Sequence, residues 1–353
     1  MRRIFALLTA LMLVLSVSAT AFAAETEGKA TADYRSEAVT ADILIEKLYQ
    51  INGSDNAELY PVETLTFTAT PGSDNPDDTN LTIDPLTVTG NTNQALTVNL
   101  PVYSQVGTYQ YTIAETTEKE MQGVTYSADA IAVTVLVTYN YAEEKLDTQI
   151  VLSSKTPGDQ SSDANEDGKV DTFINQYDVG SLTLEKTVSG NLGAKDVYFD
   201  ISVTFTSPKE VASDIGIAGG SYEDNPDTIA IADWEASDGG WSCTKVFKLK
   251  DLDMLTFSDI PAGISYAVEE DAKHLVGEDG FDVNSAADTD YTVTYTGETG
   301  TIATGTVAAA GVANEKSTSV ETGVLLDSMP YVLMVTAAAA GLIAIFGKKR
   351  YEI

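Results

Sequence analysis

The sequence predicts an all-β protein made of two tandem β-sandwich domains. Runs of Thr, Val, Tyr and Ile alternate with polar residues and are separated by Gly, Pro, Asn and Asp, which is typical of strands and turns. Between residue 24 and the C-terminal tail no segment carries the apolar stripe of a helix, although a short helical turn is expected at 56–61 or 116–122. The predicted strands are 65–70, 81–88, 109–115, 131–141, 148–154, 197–205, 243–250, 264–270 and 291–297.

Both ends of the chain carry targeting patterns. Residues 1–23 have the basic start, apolar run and small-residue cleavage site of a secretory signal peptide. Residues 329–346 contain no charge, are long enough to be a transmembrane span, and precede a Lys-Lys-Arg run that favours the cytoplasmic side. We therefore expect an exported chain. Its expected segments are the signal peptide 1–23, the domains 24–178 and 179–316, and a C-terminal tail 317–353.

Charge and cysteine content exclude several classes of protein. The formal net charge is −33 and the isoelectric point is about 4.1, which disfavours nucleic acid and anionic membrane surfaces as partners. Most carboxylates are expected in solvated loops. Cys243 is the only cysteine, so no internal disulfide can form, and we expect it to be a small buried residue.

Two lysines stand on apolar strand faces. In ILIEK, residues 43–47, alternation places Lys47 on the same face as the isoleucines. In LTLEK, residues 182–186, Lys186 likewise shares a face with the leucines. One such lysine is usually a strand-end side chain that extends its ammonium into water. Two in the same local pattern favour lysines that are buried.

Each half holds two more polar residues on apolar faces. Glu115 alternates with the Tyr and Ile of YTIAE, and in YAVEE the same parity selects Glu270 over Glu269. Near the end of each half, Asn175 shares a face with a phenylalanine and Asn314 with a valine. The order Lys, Glu, Asn is the same in both halves.

These residue types can form a covalent bond together. Burial favours the neutral amine of a lysine and the neutral acid of a glutamate. A neutral amine is a nucleophile, and a carboxylic acid can polarise an asparagine carbonyl by donating a hydrogen bond to it. Attack on that carbonyl would release ammonia and leave an amide between Lys and Asn. The pattern thus predicts one isopeptide bond in each half.

The motifs resemble those of the two-domain shaft pilins of Gram-positive bacteria, of the streptococcal isopeptide-linkage type that sortase assembles. The resemblance rests on ILIEK, GTYQYTIAE, GVTYS and GKVDTFIN in the first half, and on LTLEKTVSG, PAGISYAVEE and VANEK in the second. It implies immunoglobulin-like domains of the CnaB type. It also implies bonds from Lys47 to Asn175 and from Lys186 to Asn314, with catalytic glutamates at two positions, Glu115 and Glu270.

The resemblance also implies polymerisation by a second kind of bond. Residues 317–353 then form a cell-wall sorting signal in which SVETG stands for the LPxTG-like motif, with Leu and Pro replaced. The sortase would cleave between Thr and Gly and pass the Thr carbonyl to a lysine of the next subunit. Lys169 is the expected acceptor and Lys155 the alternative. The motif residues are Ser319, Val320, Glu321, Thr322 and Gly323.

A covalently polymerised pilus backbone subunit on the cell surface is therefore the expected function. The implied partners are a pilin-specific sortase, identical subunits in a head-to-tail polymer, tip and base pilins, and peptidoglycan. No cofactor is expected, and each bond forms once, so the chain is not an enzyme. The alternative is a wall-anchored adhesin or minor pilin that is not polymerised. A secreted enzyme is disfavoured because His274, the only histidine, has no nucleophile motif beside it.

The loop at 163–171 resembles the start of a calcium-binding loop. Its oxygen-bearing residues fit the early positions, but Ile174 stands where a bidentate glutamate closes such a site. An acidic turn is the favoured interpretation, and no metal site is assigned. The matching residues are Asp163, Asn165, Asp167, Gly168 and Asp171.

Overall fold

A computed structural model describes residues 39–41, 45–152, 172–237, 239–276 and 291–318. These residues form strands and turns, and the one helix among them is a 3-10 turn at Ile231–Asp233, so the all-β prediction is confirmed. The helical turn expected at 56–61 or 116–122 is not found: the Asn56 side chain instead accepts the Glu58 N–H and closes a tight turn. Within the described ranges no helix is long and apolar enough to cross a membrane; the stretch 329–346 lies outside them.

The chain divides into two compact units. The first unit comprises the described residues up to 50 together with 62–119 and 125–176, and the second comprises 51–61, 120–124 and the described residues from 177 onward. The boundary that the sequence suggests, between residues 178 and 179, stays a prediction. One long strand, Thr172–Ser189, begins in the first unit and continues in the second.

Two sheets enclose the core of the first unit. The strands from the start of the chain to the long strand are β1 (Val39–Ala41), β2 (Glu46–Asn52), β3 (Thr64–Leu65), β4 (Phe67–Pro71), β5 (Thr82–Ile83), β6 (Leu86–Thr87), β7 (Gln94–Ala95), β8 (Val98–Leu100), β9 (Gly107–Glu115), β10 (Val124–Thr125), β11 (Ala130–Asn140), β12 (Lys145–Leu152) and β13 (Thr172–Ser189). One sheet has the order β12-β11-β9-β4, and in the other β2 lies between β13 and β7. Phe67 of β4 contacts Phe173 of β13, with ring centroids 5.3 Å apart, so the two sheets pack face to face.

Alternation along the strands builds that core. Strand β11 buries every second side chain from Ile131 to Val137, and β9 does the same from Tyr109 to Ile113. Thr and Gln occupy the outward positions of β9. Period-2 burial of this kind is what the sequence predicts for half-buried antiparallel strands.

The second unit has the same two-layer build. Its remaining strands are β14 (Tyr198–Ser207), β15 (Ile215–Gly219), β16 (Thr228–Ile229), β17 (Glu235–Ser237), β18 (Gly240–Leu249), β19 (Met254–Pro261), β20 (Ser265–Val276), β21 (Thr292–Thr296), β22 (Thr299–Thr301) and β23 (Val307–Glu315). One sheet has the order β17-β18-β14-β20-β22, and the other runs β16-β15-β19-β13-β23-β21. Phe257 of β19 contacts Phe205 and Phe247 across the core, at 5.6 and 5.3 Å between centroids. Cys243 is buried in this core.

Candidate functional site

The first cluster consists of Lys47, Glu115 and Asn175. Lys47 lies on β2 and Asn175 on β13, which are neighbours in one sheet, whereas Glu115 ends β9 in the opposite sheet. Lys47 Nζ is 3.1 Å from Glu115 Oε2, and Asn175 Nδ2 donates to Glu115 Oε1 at 3.0 Å. The two oxygens of one carboxylate therefore contact the two nitrogens separately.

The second cluster consists of Lys186, Glu270 and Asn314 and repeats this geometry. Lys186 on β13 and Asn314 on β23 belong to adjacent parallel strands, and Glu270 comes from β20 in the opposite sheet. Lys186 Nζ is 2.7 Å from Glu270 Oε2, and Asn314 Nδ2 donates to Glu270 Oε1 at 2.6 Å. The carboxylate again bridges the amine and the amide.

Both lysines are withdrawn from water. The side chains of Lys47 and Lys186 have no exposed area, and Lys186 Nζ lies 4.4 Å from the centroid of the Phe199 ring. Burial lowers the pKa of each lysine from 10.5 to about 8, and the neighbouring glutamate opposes that change by favouring the ammonium. At neutral pH the fraction of each lysine that is present as the neutral amine is therefore far larger than for an exposed lysine.

The pair in the first cluster is also poorly hydrogen-bonded. Lys47 Nζ and Glu115 Oε2 are close enough for an ion pair but not aligned for a hydrogen bond. Neither atom has a hydrogen-bonding partner among the described residues. Buried charges that lack such bonds carry a desolvation penalty of several kcal/mol. A reaction that removes both charges would relieve that penalty.

The sequence pattern predicts that a glutamic acid donates a hydrogen bond to the side-chain carbonyl of each asparagine. In the structure each amide is turned the other way. In both clusters Nδ2 faces the glutamate and donates to its Oε1. Oδ1 of Asn175 accepts a hydrogen bond from the backbone N–H of Ser127, with an N–O distance of 2.8 Å. Oδ1 of Asn314 is buried and has no hydrogen-bonding partner in the described part of the chain. The two clusters thus differ at the carbonyl oxygen.

Three further side chains extend the first cluster, and the sequence reasoning did not single them out. Asn175 Nδ2 also donates to Tyr49 Oη at 3.3 Å, Tyr49 Oη donates to Glu63 Oε1, and Tyr126 Oη donates to Glu63 Oε2 at 2.7 Å. Alternation could have found two of them. Tyr49 follows Lys47 at the same parity, and Glu63 has the same parity as the buried Leu65 and Phe67.

Several predicted residues lie outside the described part of the chain. These are the acceptor candidates Lys169 and Lys155, the motif 319–323, and the calcium-like loop 163–171. His274 belongs to β20. Among the described residues no group of three or more His, Cys, Asp or Glu side chains could hold a metal ion.

Comparison with known proteins gives two adjoining domain families. Residues 45–178 match the Spy0128-like isopeptide containing domain, and residues 180–316 match a domain of unknown function, DUF7601. A pilin of Streptococcus pyogenes serotype M1 is 24% identical over 276 residues, which cover 70% of this chain and 69% of that protein.

Solved structures of streptococcal major pilins are also similar. The major pilin of Streptococcus pyogenes is 19% identical and has a TM-score of 0.46, with coverage of 82% of this chain and 100% of the other. The major pilin T3.2 of serotype GAS13637 is 18% identical with a TM-score of 0.49, covering 81% of this chain and 100% of the other.

The first cluster lies within the matched isopeptide-containing domain, and the pilin relative covers most of the chain. Residues 45–178 thus match the Spy0128-like isopeptide containing domain, and the similarity of the chain to a streptococcal pilin indicates a structural protein rather than an enzyme.

Proposed function

We propose that this chain is the backbone subunit of a covalently polymerised surface pilus, in which each of two immunoglobulin-like, CnaB-type domains forms its own isopeptide bond. The bonds join Lys47 to Asn175 and Lys186 to Asn314. The observation that carries the proposal is the bridging carboxylate, because Glu115 and Glu270 each contact the lysine nitrogen and the asparagine nitrogen with different oxygens.

The bridge gives the glutamate a defined chemical role. The attacking nitrogen, Lys Nζ, has a proton to lose, and the departing nitrogen, Asn Nδ2, needs one to leave as ammonia. A carboxylic acid that contacts Nζ through Oε2 and carries its proton on Oε1, beside Nδ2, can accept the first proton on one oxygen while it donates the second from the other. Folding holds the three groups in place, which lowers the barrier as in other well-oriented intramolecular reactions.

Bond formation also removes the electrostatic cost of the cluster. Before reaction a lysine and a glutamate share a buried site, and burial already lowers the pKa of the lysine to about 8. The product amide is neutral, and ammonia leaves. In the resembling shaft pilins the bond lies along the shaft axis, so it would carry tension in a chain whose only cysteine cannot supply a disulfide.

Polymerisation is the second part of the proposal. Export by the signal peptide 1–23, cleavage between Thr322 and Gly323, and transfer to Lys169 of the next subunit would give a head-to-tail polymer. A pilin-specific sortase, tip and base pilins and peptidoglycan are its proposed partners. The pilin relative and the matched isopeptide-containing domain support this reading.

The intact mass of residues 24–322, produced without any sortase, tests the proposal. We expect a mass lower than that of the sequence by two ammonia molecules. Tandem mass spectrometry of the digested protein should yield one peptide pair joined through Lys47 and Asn175 and another through Lys186 and Asn314. A mass equal to that calculated from the sequence would refute bond formation. It would favour the alternative, a wall-anchored adhesin that is not polymerised.

A further inference from the structure

A second buried carboxyl group lies beside the first cluster. Glu63 is 5% exposed, and the structure gives it two tyrosine donors: Tyr49 Oη to Oε1 and Tyr126 Oη to Oε2. Lys47 and Glu115 are the charged groups that influence it electrostatically, without a direct hydrogen bond to it. Burial raises the pKa of Glu63, while the two tyrosine hydrogen bonds lower it.

Tyr49 connects Glu63 to the reacting amide. Its hydroxyl donates to Glu63 and accepts from Asn175 Nδ2 at 3.3 Å, so an unbroken hydrogen-bonded chain runs from the Glu63 carboxyl to the nitrogen of the amide. Nδ2 is the atom that leaves as ammonia in the proposed function. Burial also raises the pKa of Tyr49, so its hydroxyl keeps its proton until a reacting group takes it.

The second cluster is built differently at the corresponding place. The residue two positions after Lys186 is Val188, which has no hydroxyl, whereas Tyr49 holds that position after Lys47. Asn314 Nδ2 donates to Glu270, and the structure gives it no hydrogen bond to a tyrosine within the described residues. The extra carboxyl and hydroxyl groups are therefore a feature of the first cluster.

We propose that Glu63 and Tyr49 form a proton relay that protonates the leaving nitrogen of Asn175 in the first cluster. This inference rests on the proposed isopeptide bond. Tyr49 contacts the leaving atom and is a catalytic residue, whereas Glu63 acts through Tyr49 and is a positioning and proton-supplying residue. In the second cluster Glu270 both accepts the proton of the attacking nitrogen and donates one to the leaving nitrogen. In the first cluster Glu115 accepts the former proton and Glu63 supplies the latter.

The reaction conserves atoms and charge. Lys47 enters as the free amine, its Nζ forms a bond to Cγ of Asn175, and the bond from Cγ to Nδ2 breaks. One proton passes from Nζ to the Glu115 carboxylate. When Glu63 is protonated, its acid proton is donated to Tyr49 Oη and the Tyr49 hydroxyl turns towards Nδ2, so both hydrogen bonds are reversed relative to the structure. One proton then passes from Tyr49 Oη to Nδ2 and one from Glu63 to Tyr49. Ammonia leaves, Glu115 ends as the acid and Glu63 as the carboxylate.

Refolding kinetics test the relay. The full chain, isolated in denatured form before it can fold, is diluted into buffers from about pH 5 to about pH 8 and quenched at intervals. Digestion and mass spectrometry then give the rates of the Lys47–Asn175 and Lys186–Asn314 bonds in the same molecules. The second bond is the internal control for folding and for mixing.

The variants are Glu63→Gln and Tyr49→Phe, with Tyr126→Phe as the matched control. Tyr126 also donates to Glu63, at Oε2, whereas Tyr49 contacts Oε1. We expect Glu63→Gln and Tyr49→Phe to slow the first bond by roughly a hundredfold, the low end of general-acid catalysis, and to leave the second bond unchanged. Tyr126→Phe should keep most of the rate.

The pH dependence separates a relay from a structural role. A relay needs Glu63 protonated, so the rate of the first bond relative to the second should fall as the pH rises through the pKa of Glu63. Glu63→Gln should abolish that dependence. The relay is overturned if Glu63→Gln keeps the wild-type ratio of the two bond-forming rates and its pH dependence. It is also overturned if Tyr126→Phe slows the first bond as much as the relay variants do, or if circular dichroism shows that neither relay variant folds. If the wild-type chain forms neither bond, the proposed function itself fails, and that result is distinct from all of these.

Discussion

Lys186 and Asn314 lie diagonally across adjacent parallel strands, two positions apart in register. Lys186 is opposite Val312, and Asn314 is opposite Val188, so both side chains point into the same core. Glu270 reaches them from the opposite sheet. Parallel pairing of β13 and β23 therefore brings together two residues that are far apart in sequence, and the facing sheet supplies the carboxyl group.

Removal of Glu270 should prevent the second bond alone. In Glu270→Ala nothing remains to transfer protons between Lys186 and Asn314, so the intact mass should rise by one ammonia molecule. The unreacted lysine would then be buried without its partner, at a cost of about 3–5 kcal/mol to the free energy of unfolding. Intact-mass measurement and urea unfolding check both effects.

The matched control for this change is Glu269→Ala. Glu269 is the neighbouring glutamate, and it is exposed on the other face of the strand. Its removal should leave both bonds and the stability nearly unchanged. A Glu270→Ala protein that still lacks two ammonia molecules would show that the bridging carboxylate is dispensable.

The covalent bond should stabilise the second unit measurably. A link from Lys186 to Asn314 closes a loop of about 130 residues, for which the chain-entropy model gives a stabilisation of about 4–5 kcal/mol. Asn314→Ala should lower the free energy of unfolding by at least that amount, since the ion pair also remains buried. Asn191→Ala, an exposed asparagine of the same unit, should cost less than about 1 kcal/mol in the same urea titration. Equal losses in the two variants would argue against a covalent link.

A buried lysine that has not reacted should make stability depend on pH. In Asn314→Ala, Lys186 has a folded-state pKa of about 8 against 10.5 for an ordinary lysine. Between these values the unfolded chain binds more protons than the folded chain, so stability should rise with pH across this window, by up to about 3 kcal/mol. Below pH 8 the full penalty persists.

Chemical denaturation from pH 8 to pH 9.5 measures this slope below the pKa of about 10 of an ordinary tyrosine. The wild-type chain should lack it, because an amide at Lys186 does not titrate. Lys186→Met/Asn314→Ala, which has no ammonium at that site, is the matched control and should also lack the slope. A flat profile in Asn314→Ala would mean that Lys186 reaches water.

The backbone N–H of Ser127 should accelerate the first bond. It donates to Asn175 Oδ1, where negative charge develops during attack, and a single such donor commonly contributes about a hundredfold or more in rate. Ser127→Pro removes the N–H, whereas Ser127→Ala retains it. We expect only the proline variant, once shown to fold, to slow the first bond relative to the second in the refolding experiment. Equal rates in the two variants would deny the N–H this role.

The alternation of buried and exposed side chains along strands made part of the two clusters predictable from the sequence. It requires only that one face of a strand be buried, and Lys47, Lys186 and Glu270 follow it in the structure. The same rule covers Glu63, but a single glutamate among apolar neighbours in one half has no second copy to draw attention to it. The repeat, rather than the pattern alone, made the lysines stand out.

Other features depend on contacts that strand parity does not encode. The direction in which an asparagine amide turns is set by which groups around it donate and accept, and those groups come from distant segments such as Ser127 and Tyr49. The turn at Asn56 is likewise decided by a local side-chain hydrogen bond that competes with a helical turn. Pairing across the core is a tertiary property, so the contact between Tyr49 and Glu63 could not be predicted from either segment by itself.

Substitution of Lys169 should separate a polymerised subunit from an anchored one. If Lys169 accepts the Thr322 carbonyl of the neighbouring subunit, Lys169→Ala should abolish the high-mass ladders that wall extracts of producing cells show on denaturing gels, because no other amine would occupy that place. Lys155→Ala is the matched control, since it removes a lysine of the same segment, and it should leave the ladders intact. Both variants should keep the two internal bonds by peptide mass spectrometry. Loss of the ladders only in Lys155→Ala would identify Lys155 as the acceptor. Absence of ladders from wild-type cells would make the chain an anchored adhesin or minor pilin, whose internal bonds stabilise a single molecule.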